Sequence, residues 1–250
     1  YILSPMDLPP HIALLAIAAT FLAGLVRGFS GFAQSAIIMA CLTPFMSPLS
    51  LIPVCWFLEL TASVLIVRSS FRDADHSITF GLLVGTVIGL PLGLLLTTTI
   101  PVESSKLVAL ILIAVLAALQ ISRVKLPFLA TRPGLYGSGI MAGIATGVAS
   151  IGGMIVALYV LASDAKPRTI RASLVSFLFL SSFISPFLFI WFDVFTEVAF
   201  TRSFVLILPT LLGVALGKLL FRPALEPYYK PFCLSLLAAL ALLGLARTAF

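Results

Sequence analysis

Apolar residues run in long blocks at 9–26, 29–46, 49–68, 78–99 and 103–121, and again at 134–150, 152–163, 168–192, 202–221 and 229–248. A helix needs about 20 apolar residues to cross a bilayer core. Polar residues gather in the short stretches between the blocks, at Arg68–His76, Ser122–Pro133, Ser163–Arg171 and Phe192–Arg202. Pro133-Gly134 is a turn signal and joins two halves, residues 1–130 and 131–250. The pattern predicts an all-α polytopic membrane protein.

The first two blocks run almost without interruption from 9 to 46, nearly twice a crossing length, so they must enter the bilayer and come back. The same holds for 134–163. At a shift of 119 residues Gly24 falls on Gly143, Gly28 on Gly147, Gly31 on Ser150 and Pro48 on Pro167. At a shift of 124, Gly89 falls on Gly213, Gly93 on Gly217, Lys106 on Lys230 and Arg123 on Arg247. Each half is therefore expected to be a broken or re-entrant helical hairpin followed by three transmembrane helices. An odd number of crossings after the hairpin makes the two repeats inverted.

Loop charge points the same way. In the inverted arrangement Arg68, Arg72, Arg123, Lys125, Arg132, Lys166, Arg168, Arg171, Lys218, Arg222 and Lys230 share one side. Only Lys106, Arg202 and Arg247 face the other, and Arg27 stays within the bilayer. If each paired segment crossed once, these residues would divide seven and seven. The eleven-residue side is expected to be cytoplasmic, with both termini outside, in a bacterial-type inner membrane.

Composition agrees: 61% of the chain is apolar and 10% charged, where a soluble domain carries about 25% charge. The net charge of +6 is loop charge of this kind and implies no nucleic-acid partner. Cys41, Cys55 and Cys233 are widely spaced in apolar surroundings and read as packing residues, with no disulfide framework. Two isolated histidines, His11 and His76, give no metal signature, and no cofactor is expected. The chain opens at Tyr1 and not at a methionine, which leaves its true start open; no signal-peptide cleavage site is evident.

The candidate chemistry lies at the hairpin tips. Arg27, Gly28, Ser30, Gly31, Gln34 and Ser35 interrupt the first hairpin; Thr146, Gly147, Ser150, Gly152 and Gly153 interrupt the second. A helix that restarts after a break offers free backbone N–H groups and partial positive charge, which bind anions. Glycines uncover those groups, hydroxyls and the Gln34 amide add donors, and Arg27 adds a planar fork suited to oxyanions. The competing reading is close helix packing through small residues. In the inverted arrangement the two tips are expected to meet near the membrane midplane.

Glu59 lies ten residues past Leu49, about 15 Å into its helix, and is the single carboxylate deep in a span. It suits proton carriage, or a static pair with Arg27. Trp56, one turn earlier, is placed to wall the site or to anchor its helix. Ser181, Ser182, Ser185 and Pro186 either line a cavity or bond back to their own helix. Gly85, Gly89, Gly93, Gly213 and Gly217 read as close-packing faces.

At these residues the chain resembles the sulfite exporter TauE/SafE family, also called the 4-toluene sulfonate uptake permeases. The resemblance covers essentially all 250 residues. It is carried by Val26-Arg27-Gly28-Phe29-Ser30-Gly31-Phe32, by the paired glycine-rich tips and by the duplicated architecture. Ala33 and Gln34 stand where further glycines are often found, and Ser150 replaces another. The resemblance implies transport of sulfite, sulfonates or related organosulfur anions, by uptake or export.

The sequence thus points to a secondary transporter for a small organosulfur oxyanion, working by alternating access, with protons as a candidate coupling ion. A carrier of another carboxylate or sulfur anion is the nearest alternative. A non-transporting scaffold or sensor would not require polar groups at two symmetric tips. An intramembrane enzyme would require a nucleophile–base pair or a metal set, and the sequence offers neither. No ATP-binding motif is present. Substrate, direction and oligomeric state are left open.

Overall fold

The computed structural model describes residues 7–122, 131–162 and 167–220, with isolated positions 235, 242 and 246. The block at 229–248, and the charges at Arg123, Lys125, Lys166, Arg222, Lys230 and Arg247, lie outside the described residues. Those residues form helices only: α1 (Pro10–Ser30), α2 (Gln34–Leu42), α3 (Pro48–Ser70), α4 (His76–Thr99), α5 (Val102–Ile121), α6 (Arg132–Ala149), α7 (Gly152–Ala162), α8 (Pro167–Trp191) and α9 (Glu197–Leu220). Six of them, α1, α3, α4, α5, α8 and α9, are long and apolar enough to cross a membrane. The protein is a polytopic helical membrane protein.

Local chemistry sets the helix starts. Pro10, Pro48 and Pro133 occupy first-turn positions, where a missing N–H costs nothing. Side chains cap four starts: Ser47 accepts from Ser50 N (3.3 Å), Asp75 from Ile78 N (3.1 Å), Thr131 from Gly134 N (3.1 Å) and Thr196 from Ala199 N (3.2 Å). Each hairpin pairs a longer helix with a short one. α2 and α7 have 9 and 11 residues, too few to cross alone.

The first break differs in place from the hydrophobic blocks, which put it after 26. Helix α1 runs on through Gly28 to Ser30 and turns at Gly31 and Ala33, both left-handed (φ 81° and 72°). Gly28 stays helical because its bare face packs on the α9 backbone at Val214 and Lys218. The second break falls at Ser150 (φ 55°), 119 residues after Gly31, the same offset that aligns Gly24 with Gly143 in the sequence.

The most extensive contacts join α4 to α6 and α1 to α9. Both are glycine seams. Gly85, Gly89 and Gly93 meet Gly139, Gly143 and Gly147, and an added Cβ at any of these six would strike backbone. Gly24 and Gly28 meet α9 in the same way, as Gly213 and Gly217 meet α1. Close approach lets Thr86 Oγ1 donate to Gly139 O (3.2 Å) and Thr97 Oγ1 to Gly147 O (3.0 Å). Large apolar side chains point outward instead, among them Leu14, Phe187, Leu208 and Leu219. The core between the helices holds Arg27, Gln34 and many hydroxyls. Apolar side chains on the outside as well as in the core suit a lipid surround.

Candidate functional site

The first tip is tied down by two arginines. Arg27 is completely buried, and donates from Nη1 to Gly31 O (2.5 Å) and from Nη2 to Ser63 Oγ on α3 (2.7 Å). Arg171 on α8 reaches across the halves, from Nη2 to Gly28 O (2.8 Å) and from Nε to Phe29 O (3.2 Å). A helix leaves its last carbonyls unsatisfied and its C-terminus partly negative. Two cations therefore neutralise the end of α1. The Ser30 hydroxyl closes the turn, accepting from Phe32 N (3.0 Å) and donating to Phe32 O (2.6 Å). The loop-charge pattern alone places Arg171 with the loop cations; its position at the edge of an apolar block, one turn after Pro167, is the sequence signal for this inward role.

The second tip has no arginine. Ser150 ends α6 with its N–H on Ala145 O and Thr146 O, and Ile151 N returns to Ala145 O (3.3 Å). Helix α7 then restarts at Gly152, whose bare Cα lies against Thr146 Oγ1 and Ala142 O. Its first-turn N–H groups precede any helical acceptor.

Beside this restart lies a cavity of about 20 Å³, lined by Thr146, Ser150, Gly152 and Gly153, by Trp56 and Glu59 of α3, and by Leu178, Ser181, Ser182, Ser185 and Phe189 of α8. It has room for about one water. The three α8 serines do both things proposed for them. They wall the cavity, and they donate back to their own helix: Ser181 and Ser182 to Leu178 O, Ser185 to Ser181 O. Trp56 closes one side, edge-on to Phe189 (6.3 Å) and Phe195 (5.5 Å).

Glu59 connects the two tips. It lines the cavity of the second, lies beside the hydroxyl and backbone N–H of Ser35 at the start of α2, and sits in the field of Arg27. Ser63, one turn along the same helix, receives Arg27. One face of α3 thus carries Trp56, Glu59 and Ser63 from the second tip to the first.

Of the residues singled out in the sequence, Trp56, Glu59, Thr146, Ser150, Gly152 and Gly153 share the cavity. Arg27, Gly28, Ser30, Gly31, Gln34, Ser35 and Gly147 are not on its wall. Gly28 and Gly147 serve the helix seams; an added Cβ at Gly147 would strike the α4 backbone at Gly93 and Leu94. Gln34 and Ser35 are buried at the start of α2.

Residues 16–243 match the family model described as sulfite exporter TauE/SafE. Neither the curated proteins nor the solved structures yield a match.

Proposed function

Because the chain belongs to the sulfite exporter TauE/SafE family, a family of membrane transporters, we propose that it carries a small sulfur oxyanion, sulfite or an organic sulfonate, by alternating access and coupled to protons. The observation that carries this reading is the meeting of Glu59 with the second hairpin tip in one polar cavity. Thr146, Ser150, Gly152 and Gly153 form the landing place for the anionic head group. The start of α7 contributes partial positive charge and N–H donors.

Electrostatics gives Glu59 its role. Two unit negative charges about 4 Å apart repel by about 4 kcal/mol at an effective dielectric of 20, close to a thousandfold in affinity. An ionised Glu59 therefore excludes an anion from the cavity, and a protonated Glu59 admits it. Anion and proton then enter together. The cavity has room for about one water in this conformation, so the loaded state requires the α8 wall to move outward from α3.

The two halves, 1–130 and 131–250, act as inverted repeats in this reading. The equivalent pairings α4–α6 and α1–α9, and left-handed breaks at matched positions, support it. The face bearing Arg68, Arg72, Arg132 and Lys218 is cytoplasmic.

The field of Arg27 at Glu59 favours a second reading, in which Glu59 is a fixed counter-charge and transport follows the anion gradient alone. Uptake into proteoliposomes, with a panel of sulfur anions and an imposed pH gradient, decides between them. Accumulation that ignores the pH gradient excludes proton coupling; no uptake of any sulfur anion excludes the substrate class.

A further inference from the structure

Gln34 opens α2, and it is the largest polar group in the described core whose side-chain amide makes no hydrogen bond. It has no solvent exposure, and both Nε2 and Oε1 lack a partner. Its neighbour Ser35 is 1% exposed, with its hydroxyl and backbone N–H turned to Glu59. Both polar atoms of the Gln34 amide are thus enclosed and unsatisfied where a nine-residue helix begins. Buried polar groups are nearly always paired, so a cluster of exceptions calls for a reason. An apolar side chain of the same shape would remove the penalty.

The surroundings select the ligand. Ala33 and Gly31 are both left-handed, so the chain doubles back and leaves the first-turn N–H groups of α2 without a preceding helix to bond. The N-terminus of α2 is partly positive, and Arg27 places a full charge at the same tip through its bond to Gly31 O. Gln34 Nε2 and the Ser35 hydroxyl add donors. The Gln34 Oε1 acceptor suits a protonated oxygen or a bound water. This set of groups is made for an oxyanion, whereas a metal cation would face two positive sources.

We infer that the start of α2, with Gln34 and Ser35, is a second oxyanion subsite, separated from the cavity of the second tip by Glu59. This rests on the transport reading above. Ser35 lies beside Glu59 from one side, and the cavity reaches Glu59 from the other. The transported anion passes from one helix N-terminus to the other across this carboxyl group. The first tip packs next to Arg171 and the end of α9, so the second subsite serves the cytoplasmic half of the cycle.

The test uses full-length protein in proteoliposomes, with sulfite and methanesulfonate as probes and transport measured from each side. Gln34→Leu keeps shape and removes the orphan amide. It should raise Tm, raise KM from the cytoplasmic side at least tenfold, and leave KM from the other side within twofold. Ser35→Ala, a smaller change that decides if Gln34→Leu fails to fold, should raise the cytoplasmic KM about threefold to tenfold. Wild-type transport on both sides in the folded variants would overturn the subsite alone. Wild-type protein that moves neither probe would overturn the transport reading and the subsite with it.

Discussion

The indole N–H of Trp56 donates to the backbone carbonyl of Ser182 across 2.9 Å. That carbonyl is available because Pro186, four residues further along α8, has no N–H to give it. One helix thus spends a missing hydrogen bond on its neighbour, at the wall of the cavity. Trp56→Phe keeps an aromatic ring against Phe189 and Phe195 but loses the bond, and should cost about 1 kcal/mol. Pro186→Ala returns an N–H to Ser182 O, so the same Trp56→Phe change should cost less in that background. Thermal unfolding of the four proteins in detergent gives the coupling. Strict additivity would mean that the two residues act independently.

Arg171 should behave as an internal clamp. Removing a charged donor from Gly28 O and Phe29 O predicts a loss of about 1.5–3 kcal/mol for Arg171→Ala. Arg171→Lys keeps a charge and loses the fork, so it should fall between. Affinity for sulfite at the cavity should stay within twofold, because Arg171 is not on its wall. A loss under about 0.5 kcal/mol, the usual range for surface substitutions, would return Arg171 to the loop charges.

The glycines divide by what an added methyl group would meet. At Gly89 it would strike Ile140 O, a backbone atom that cannot turn aside. Gly89→Ala should therefore destabilise by more than 2 kcal/mol, as overpacking does. At Gly137 nothing lies within 4 Å, and Ala is a better helix former by roughly 0.5–1 kcal/mol. Gly137→Ala should stabilise by that amount. Ala33→Gly should also stabilise, by up to about 1 kcal/mol, since Ala33 is held at φ 72°. Opposite signs for Gly89→Ala and Gly137→Ala in one unfolding assay are the check.

Topology is tested by labelling. Single cysteines near Arg132 and near Arg168 should react only with reagent on the cytoplasmic side, and one near Thr196 only from outside, in a chain whose native cysteines are replaced. Labelling of Arg132 and Arg168 from opposite sides would refute the inverted hairpins.

Length and hydropathy made the helices legible. A block near 20 apolar residues has few other folds, and the caps at Ser47, Asp75 and Thr131 are local in sequence. The glycine seams were legible too, because spacing by four puts bare surface on one face of a helix. The tips were legible as breaks, but the assignment of their atoms was not. Arg27 has the chemistry of an anion ligand, and its two Nη donors go to Gly31 O and Ser63 Oγ, one of them 36 residues away. Arg171 reads as loop charge until α1 ends against it, 142 residues upstream. Contacts of that range are set by packing, and sequence spacing does not carry them.

Glu59 carries the most consequential prediction. Glu59→Gln has the same shape as the protonated residue and cannot release its proton. With repulsion removed, the cavity should accept an anion at every pH, where the wild type should bind more weakly as pH rises and Glu59 ionises. Sulfite changes its own charge with pH, so methanesulfonate, which stays a monoanion, is the cleaner probe. Equilibrium binding of methanesulfonate by the variant should be flat between pH 5 and 8. Proton-driven accumulation in proteoliposomes should vanish, while exchange of internal for external anion persists, since exchange needs no net proton movement. Accumulation at the wild-type level in the folded variant would show that the proton travels by another route, and would leave Glu59 as the counter-charge that Arg27 requires.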